Sequence, residues 1–104
     1  MKQGTTPTIL LTVKDRDLTD KSVYVSFRFN GKQITKINDD MNITYTEPDT
    51  ILAVMLSQQE TLAFLPGTIS VDVRWVDENG NAEGTNIATL SVSEAILKKV
   101  ITYD

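Results

Sequence analysis

The side chains that could do chemistry in this chain are almost all carboxylates: fourteen Asp and Glu, with no histidine and no cysteine. The densest group is Asp15, Asp17 and Asp20 in DRDLTD. Calcium takes several such oxygen ligands, but the spacing matches no calcium-binding loop, so the stretch reads as a polar connection between strands. Asp77, Glu78 and Asn79 ahead of Gly80 echo the opening of an EF-hand loop. The downstream glutamate and flanking helices are missing, and a hairpin turn is the expectation. Glycoside hydrolysis needs two acids facing each other across a cleft, and no pair is marked out by spacing.

The missing residue types exclude more. Without histidine or cysteine, Ser-His-Asp and Cys-His catalysis cannot be assembled from this chain, and thiolate or imidazole metal sites and disulfides are ruled out. The glycines follow no phosphate-cradling pattern, so no nucleotide site or other cofactor is expected. A net charge of −4 argues against nucleic acid and against an anionic membrane surface. The opening MKQGTTPTILLTVKDRD has only Ile9, Leu10 and Leu11 as an apolar centre, too short for a signal peptide or a membrane span. NIT at 42–44 matches a glycosylation acceptor but, without a secretion signal, is not expected to be used.

The elements that must position any site read as strands. TILLTVK, 8–14, is the first. SVYVSFRF, 22–29, alternates, with Val23, Val25, Phe27 and Phe29 on one face and Tyr24, Ser26 and Arg28 on the other. Asn30-Gly31 is a type I′ hairpin signal, followed by a returning strand over 33–38 that NDD breaks. NITYT, 42–46, is a short strand, and TILAVML, 50–56, is apolar on both faces. Ser57 and Glu60 form a capping box for about one helical turn, which Leu65, Pro66 and Gly67 end. TISVDVRWV, 68–76, puts Ile69, Val71, Val73 and Trp75 on one face, so the lone tryptophan reads as core. After the turn DENGN a last strand runs over about 84–92 with Ala88, Leu90 and Val92 inward, and residues 93–104 form a tail with mild helical character at its start, where Ser93 can cap Glu94 to Lys99.

Six to seven short strands in one domain of 104 residues imply an antiparallel β-sandwich, with the helical turn near 58–64 crossing between sheets and Leu62 and Phe64 plugging one end of the core. The doubly apolar stretch poses the functional question. Ile51, Ala53 and Met55 share one face, and Leu52, Val54 and Leu56 the other. Either both rows close the core, or one meets a partner. The tail residues Ile96, Leu97, Val100, Ile101 and Tyr103 pose the same choice, against a second copy or a neighbouring protein.

Four stretches carry a likeness to a known family: MKQGTTPTILLTV, DLTDKSVYVSFRFNGKQI, MLSQQETLAFLPGTISVDVRWVDENGN and TNIATLSVSEAIL. Together they resemble small proteins of prophage tail regions, in particular the N-terminal domain family of siphophage baseplate upper proteins. The chain stops soon after its last strand, without the stem and receptor-binding parts that can follow there. The resemblance implies an immunoglobulin-like, non-enzymatic module that packs against other phage tail or baseplate proteins, in the virion tail or in the host cytoplasm during assembly. The interface residues expected on this view are Ile51, Ala53, Met55, Leu97, Ile101 and Tyr103. The other class to weigh is a carbohydrate-binding module, for which Tyr24, Tyr45 and Tyr103 would have to serve.

Overall fold

Alternating side chains decide this fold, because a strand that buries every second residue needs an opposing layer. A computed structural model describes residues 1–103, apart from the side chains of 86–88. Among the described residues it holds seven strands: β1 (Thr8–Val13), β2 (Ser22–Phe29), β3 (Lys32–Lys36), β4 (Met41–Thr46), β5 (Asp49–Met55), β6 (Gly67–Val76) and β7 (Ala82–Val92). Helix α1 (Gln58–Ala63) lies between β5 and β6, and a 3-10 turn, Asn38–Asp40, lies between β3 and β4. A three-stranded sheet, β1-β5-β4, faces a four-stranded sheet, β3-β2-β6-β7. Every strand pairing is antiparallel, and the order is that of an immunoglobulin-like sandwich.

The inward rows expected for β2 and β6 are in place. Val23, Val25, Phe27 and Phe29 pack with Ile69, Val71, Val73 and Trp75. Leu11 and Val13 of β1, and Leu52 and Val54 of β5, face them from the other sheet. Asn30 and Gly31 both take positive φ, +46° and +77°, which lets two residues close the β2–β3 hairpin. DENGN is a turn as expected. Asp77 accepts the N–H groups of Asn79 and Asn81, and the Asn81 bond leads in holding its carboxyl below the usual range.

Helix α1 makes the crossing between sheets. Ser57 Oγ accepts the Glu60 N–H, and Glu60 returns the bond to the Ser57 N–H at 2.8 Å, so the capping box is complete. Phe64 plugs the core as expected, edge-on to Phe29 with ring centroids 4.6 Å apart. Leu62 does not: it is half-buried, and Thr61 takes the buried helical position, donating its hydroxyl proton to the Thr5 carbonyl at 2.8 Å. A six-residue helix turns only one face inward, and Thr61 rather than Leu62 lies on it.

The C-terminal segment also departs from expectation. Residues 93–99 form no helix. Ser93 is instead held by the N-terminus, its N–H donating to the Met1 carbonyl and its carbonyl accepting the Gln3 N–H. A cap cannot form where backbone pairing has already taken the capping residue. Gln3 is itself buried: its amide donates to the Phe64 carbonyl, and its Oε1 accepts from the Ala95 N–H and Lys98 Nζ. Ala88, expected inward on β7, has a side chain outside the described set.

One contact went unforeseen. Lys36, at the end of β3, reaches Glu60 of α1 at 2.7 Å and so ties the helical crossing to the four-stranded sheet. Burial alone would raise the Glu60 pKa, but the bonds from Lys36 and Ser57 outweigh it and hold the carboxyl below its ordinary value. A depressed carboxyl stabilises the fold above its unfolded-state pKa and loses that contribution as pH falls through the folded-state value. Glu60→Gln is therefore expected to cost about 1 kcal/mol at neutral pH, solvent screening keeping the figure small. Urea denaturation across a pH series should show the variant and parent curves converging below the usual glutamate range.

Candidate functional site

Because β5 alternates, its two apolar rows part company. Leu52 and Val54 are fully buried, while Ile51 and Met55 are 38% and 50% exposed and Ala53 is intermediate. Of the two choices, one row closes the core and the other faces outward. The register places Thr8 beside Met55, Leu10 beside Ala53 and Thr12 beside Ile51, and on the far side Asn42 beside Ala53 and Thr44 beside Ile51. None of these residues carries a charge, and the β5 row meets one only at its start, where Asp49 lies beside Thr46. Leu10, 69% exposed, completes an apolar patch with Ile51, Ala53 and Met55.

Leu10 is the residue that sequence reasoning missed. Ile9, Leu10 and Leu11 are all apolar, so the run shows no alternation to say which faces out. The only local clue is the phase set by Leu11 and Val13, both buried.

The outer face of the four-stranded sheet has a different character. Tyr24 lies opposite Arg74, Ser26 opposite Asp72 and Arg28 opposite Ser70. A groove of about 380 Å³ runs over Tyr24, Ser26, Gln33, Thr35 and Arg74. The three tyrosines considered for sugar binding do not converge. Tyr24 is on this sheet and Tyr45 on β4 of the other, while Tyr103 lies in the C-terminal segment. Desolvation, followed by the charges of Glu47, Asp17 and Asp49, raises the Tyr45 pKa.

Leu97, Ile101 and Tyr103 are exposed and lie in the C-terminal segment, which pairs with no strand of that sheet. Only Ile101 is tied to the same end of the sandwich. The Gln58 amide donates to its carbonyl at 2.9 Å and accepts its N–H at 2.8 Å, and Gln58 follows Met55 by three residues. The six expected interface residues thus fall in two groups, three on β5 and three in the C-terminal segment.

The acidic loop serves local structure. Asp17 accepts the hydroxyl and N–H of Thr19, which hold its carboxyl below the usual range, and Asp20 pairs with Lys21 at 2.9 Å. Between them Leu18 is fully buried, and its N–H is accepted by the buried Thr50 hydroxyl. Among the described residues no group of three or more acidic side chains gathers to hold a metal ion. Among the described residues no helix is long and apolar enough to cross a membrane. No family model, curated protein or solved structure matches the chain.

The division of β5 makes a sharp mutational contrast. Leu52→Ala is expected to cost about 2–5 kcal/mol through lost burial and a cavity. Met55→Asp, on the outer face, should change the stability of the free chain by no more than about 1 kcal/mol. Urea denaturation of both variants measures the difference.

Proposed function

We propose that this chain is a non-enzymatic docking module of a phage or prophage tail or baseplate. It packs against other tail proteins through the outer face of the β1-β5-β4 sheet. The observation that carries the docking half of this reading is the charge-free patch of Leu10, Ile51, Ala53 and Met55. A monomer gains nothing by keeping that row apolar, whereas a partner that covers it gains about 25 cal/mol for each Å² of apolar surface removed from water. The patch alone is small. Three strands about 4.8 Å apart and six residues long project only roughly 300 Å², against about 800 Å² per partner in a standard interface. Exposed Ile101, tied through Gln58 three residues beyond Met55, supplies further area.

What supports the tail half is the likeness of the four stretches to the baseplate upper protein family. A non-enzymatic role agrees with the absence of histidine and cysteine and with carboxylates committed to caps and turns. A second reading, binding of a cell-surface polysaccharide, is favoured by one observation. Tyr24 is exposed over a groove with Arg74, Ser26, Gln33 and Thr35, an aromatic platform ringed by hydrogen-bonding groups.

Quantitative mass spectrometry of purified phage particles after induction of the host strain tests the leading reading. The expected result is this chain at a fixed ratio to the major tail proteins. Its recovery only from the cleared lysate would contradict a virion role. Saturable quenching by cell-wall polysaccharide that Tyr24→Ala abolishes would then favour the second reading.

A further inference from the structure

β1 and β7 are edge strands of opposite sheets, and they approach one another along one side of the sandwich. At one end the chain closes this seam itself. Lys2 forms a parallel bridge to Ser93, and the Met1 amino group donates to the Ser91 carbonyl at 2.9 Å. At the other end the seam opens into a cleft of about 480 Å³ lined by Thr12, Lys14, Arg16, Trp75, Glu83 and Thr85. The ion pair spanning it, Arg16 to Glu83 at 3.1 Å, has both partners about half exposed, so it is weak and easily displaced. Trp75 borders both this cleft and the Tyr24 groove at 4% exposure, and its buried indole N–H has no acceptor among the described residues. A buried donor without an acceptor is a cost that an incoming carbonyl removes.

The same chain carries an unpaired segment. Beyond Ser93, residues 94–103 join no ladder, and Val100, Ile101 and Tyr103 are exposed β-formers. The Gln58 clamp on Ile101 sits at the opposite end of β1 from the cleft, because Leu56, just before α1, pairs with Pro7 at the start of that strand. The six residues of β1 separate the two places by roughly 20 Å, so a clamped segment does not fill its own cleft.

We infer that the cleft receives residues 97–103 of a second copy of this chain as an added strand between β1 and β7, with a backbone carbonyl of that strand accepting the Trp75 indole N–H. The contact continues the ladder that Met1–Gln3 begin on β7. Donation opens the two Gln58 hydrogen bonds to Ile101 and the Lys98 bond to Gln3, and replaces them with ladder bonds to two strand edges. Cleft and segment are different surfaces, so the association is head to tail and grows beyond a dimer into a ring or a chain. It draws on the C-terminal segment that the outer-face docking also uses, but Met55→Asp alters the outer face alone and so separates the two.

The single tryptophan gives one indole N–H resonance to follow. The nitrogen-labelled full chain is titrated with an unlabelled synthetic peptide of residues 96–103, and the unmodified chain is sedimented over a concentration series. The expected result is a downfield, saturable movement of the indole resonance and species larger than a dimer at high concentration. Val100→Asp with Ile101→Asp should keep cooperative unfolding and weaken association at least about tenfold, while Gln58→Ala, which frees the segment, should strengthen it. An indole resonance that stays in place at saturating peptide overturns the inference. So does a chain that stays monomeric at every concentration, or one whose oligomers survive the double Asp variant and vanish with Met55→Asp.

Discussion

Two sheets enclose one layer of side chains, and among the described residues no third layer covers what faces outward. That constraint governs the structure. Each strand can bury one row only. β2 and β6 obey it in their sequences, with apolar residues inward and Tyr24, Arg28, Asp72 and Arg74 outward. β5 does not obey it, since both its rows are apolar. The inner row is worth roughly 1.5–3 kcal/mol for each large side chain buried. The outer row contributes nothing comparable to the free chain. Beyond Asp49 at its start, that outer row is Ile51, Ala53 and Met55, and these residues are what the proposed docking face rests on.

The ends of the chain are set by a second layer of interactions. Gln3 is buried and links three distant parts: the end of α1 through the Phe64 carbonyl, the C-terminal segment through the Ala95 N–H, and Lys98. Met1 and Gln3 pair with β7 around Ser93. These contacts bring the N-terminus, the helical crossing and residues 94–101 to one end of the sandwich. Ile101, held by Gln58, is consequently tied near the Met55 end of the sheet. The opposite end of the same seam stays open, held by one exposed ion pair.

Much of the fold was legible because its signals are local. The alternation of β2 and β6, the Asn30-Gly31 hairpin, the Ser57–Glu60 box and the inward Trp75 all follow from spacing within a few residues. The failures are non-local. Ser93 reads as a helix cap until the N-terminus, about ninety residues away, takes its backbone. Thr61 displaces Leu62 because the Thr5 carbonyl is near enough to satisfy a hydroxyl in the core. Lys36 finds Glu60 across 24 residues. The candidate site divides in the same way. The outward row of β5 was visible as a choice between two apolar faces, but Leu10 joins it only through the β1–β5 register. Tyr24, Tyr45 and Tyr103 could be named together, yet which sheet each would occupy depended on topology.

The central claim is that the outer face of β1-β5-β4 is covered in the working assembly and bare in the free chain. Met55 reports on this directly, because its half-exposed thioether oxidises readily in water, while Met41 is buried and serves as an internal reference. A brief peroxide pulse, with oxidation at Met55 read by peptide mass spectrometry, should be applied to the purified chain at low concentration and to intact phage particles. The account predicts rapid sulfoxide formation at Met55 in the free chain and strong protection in the particle, with Met41 slow in both. Equal oxidation of Met55 in the two samples would contradict it.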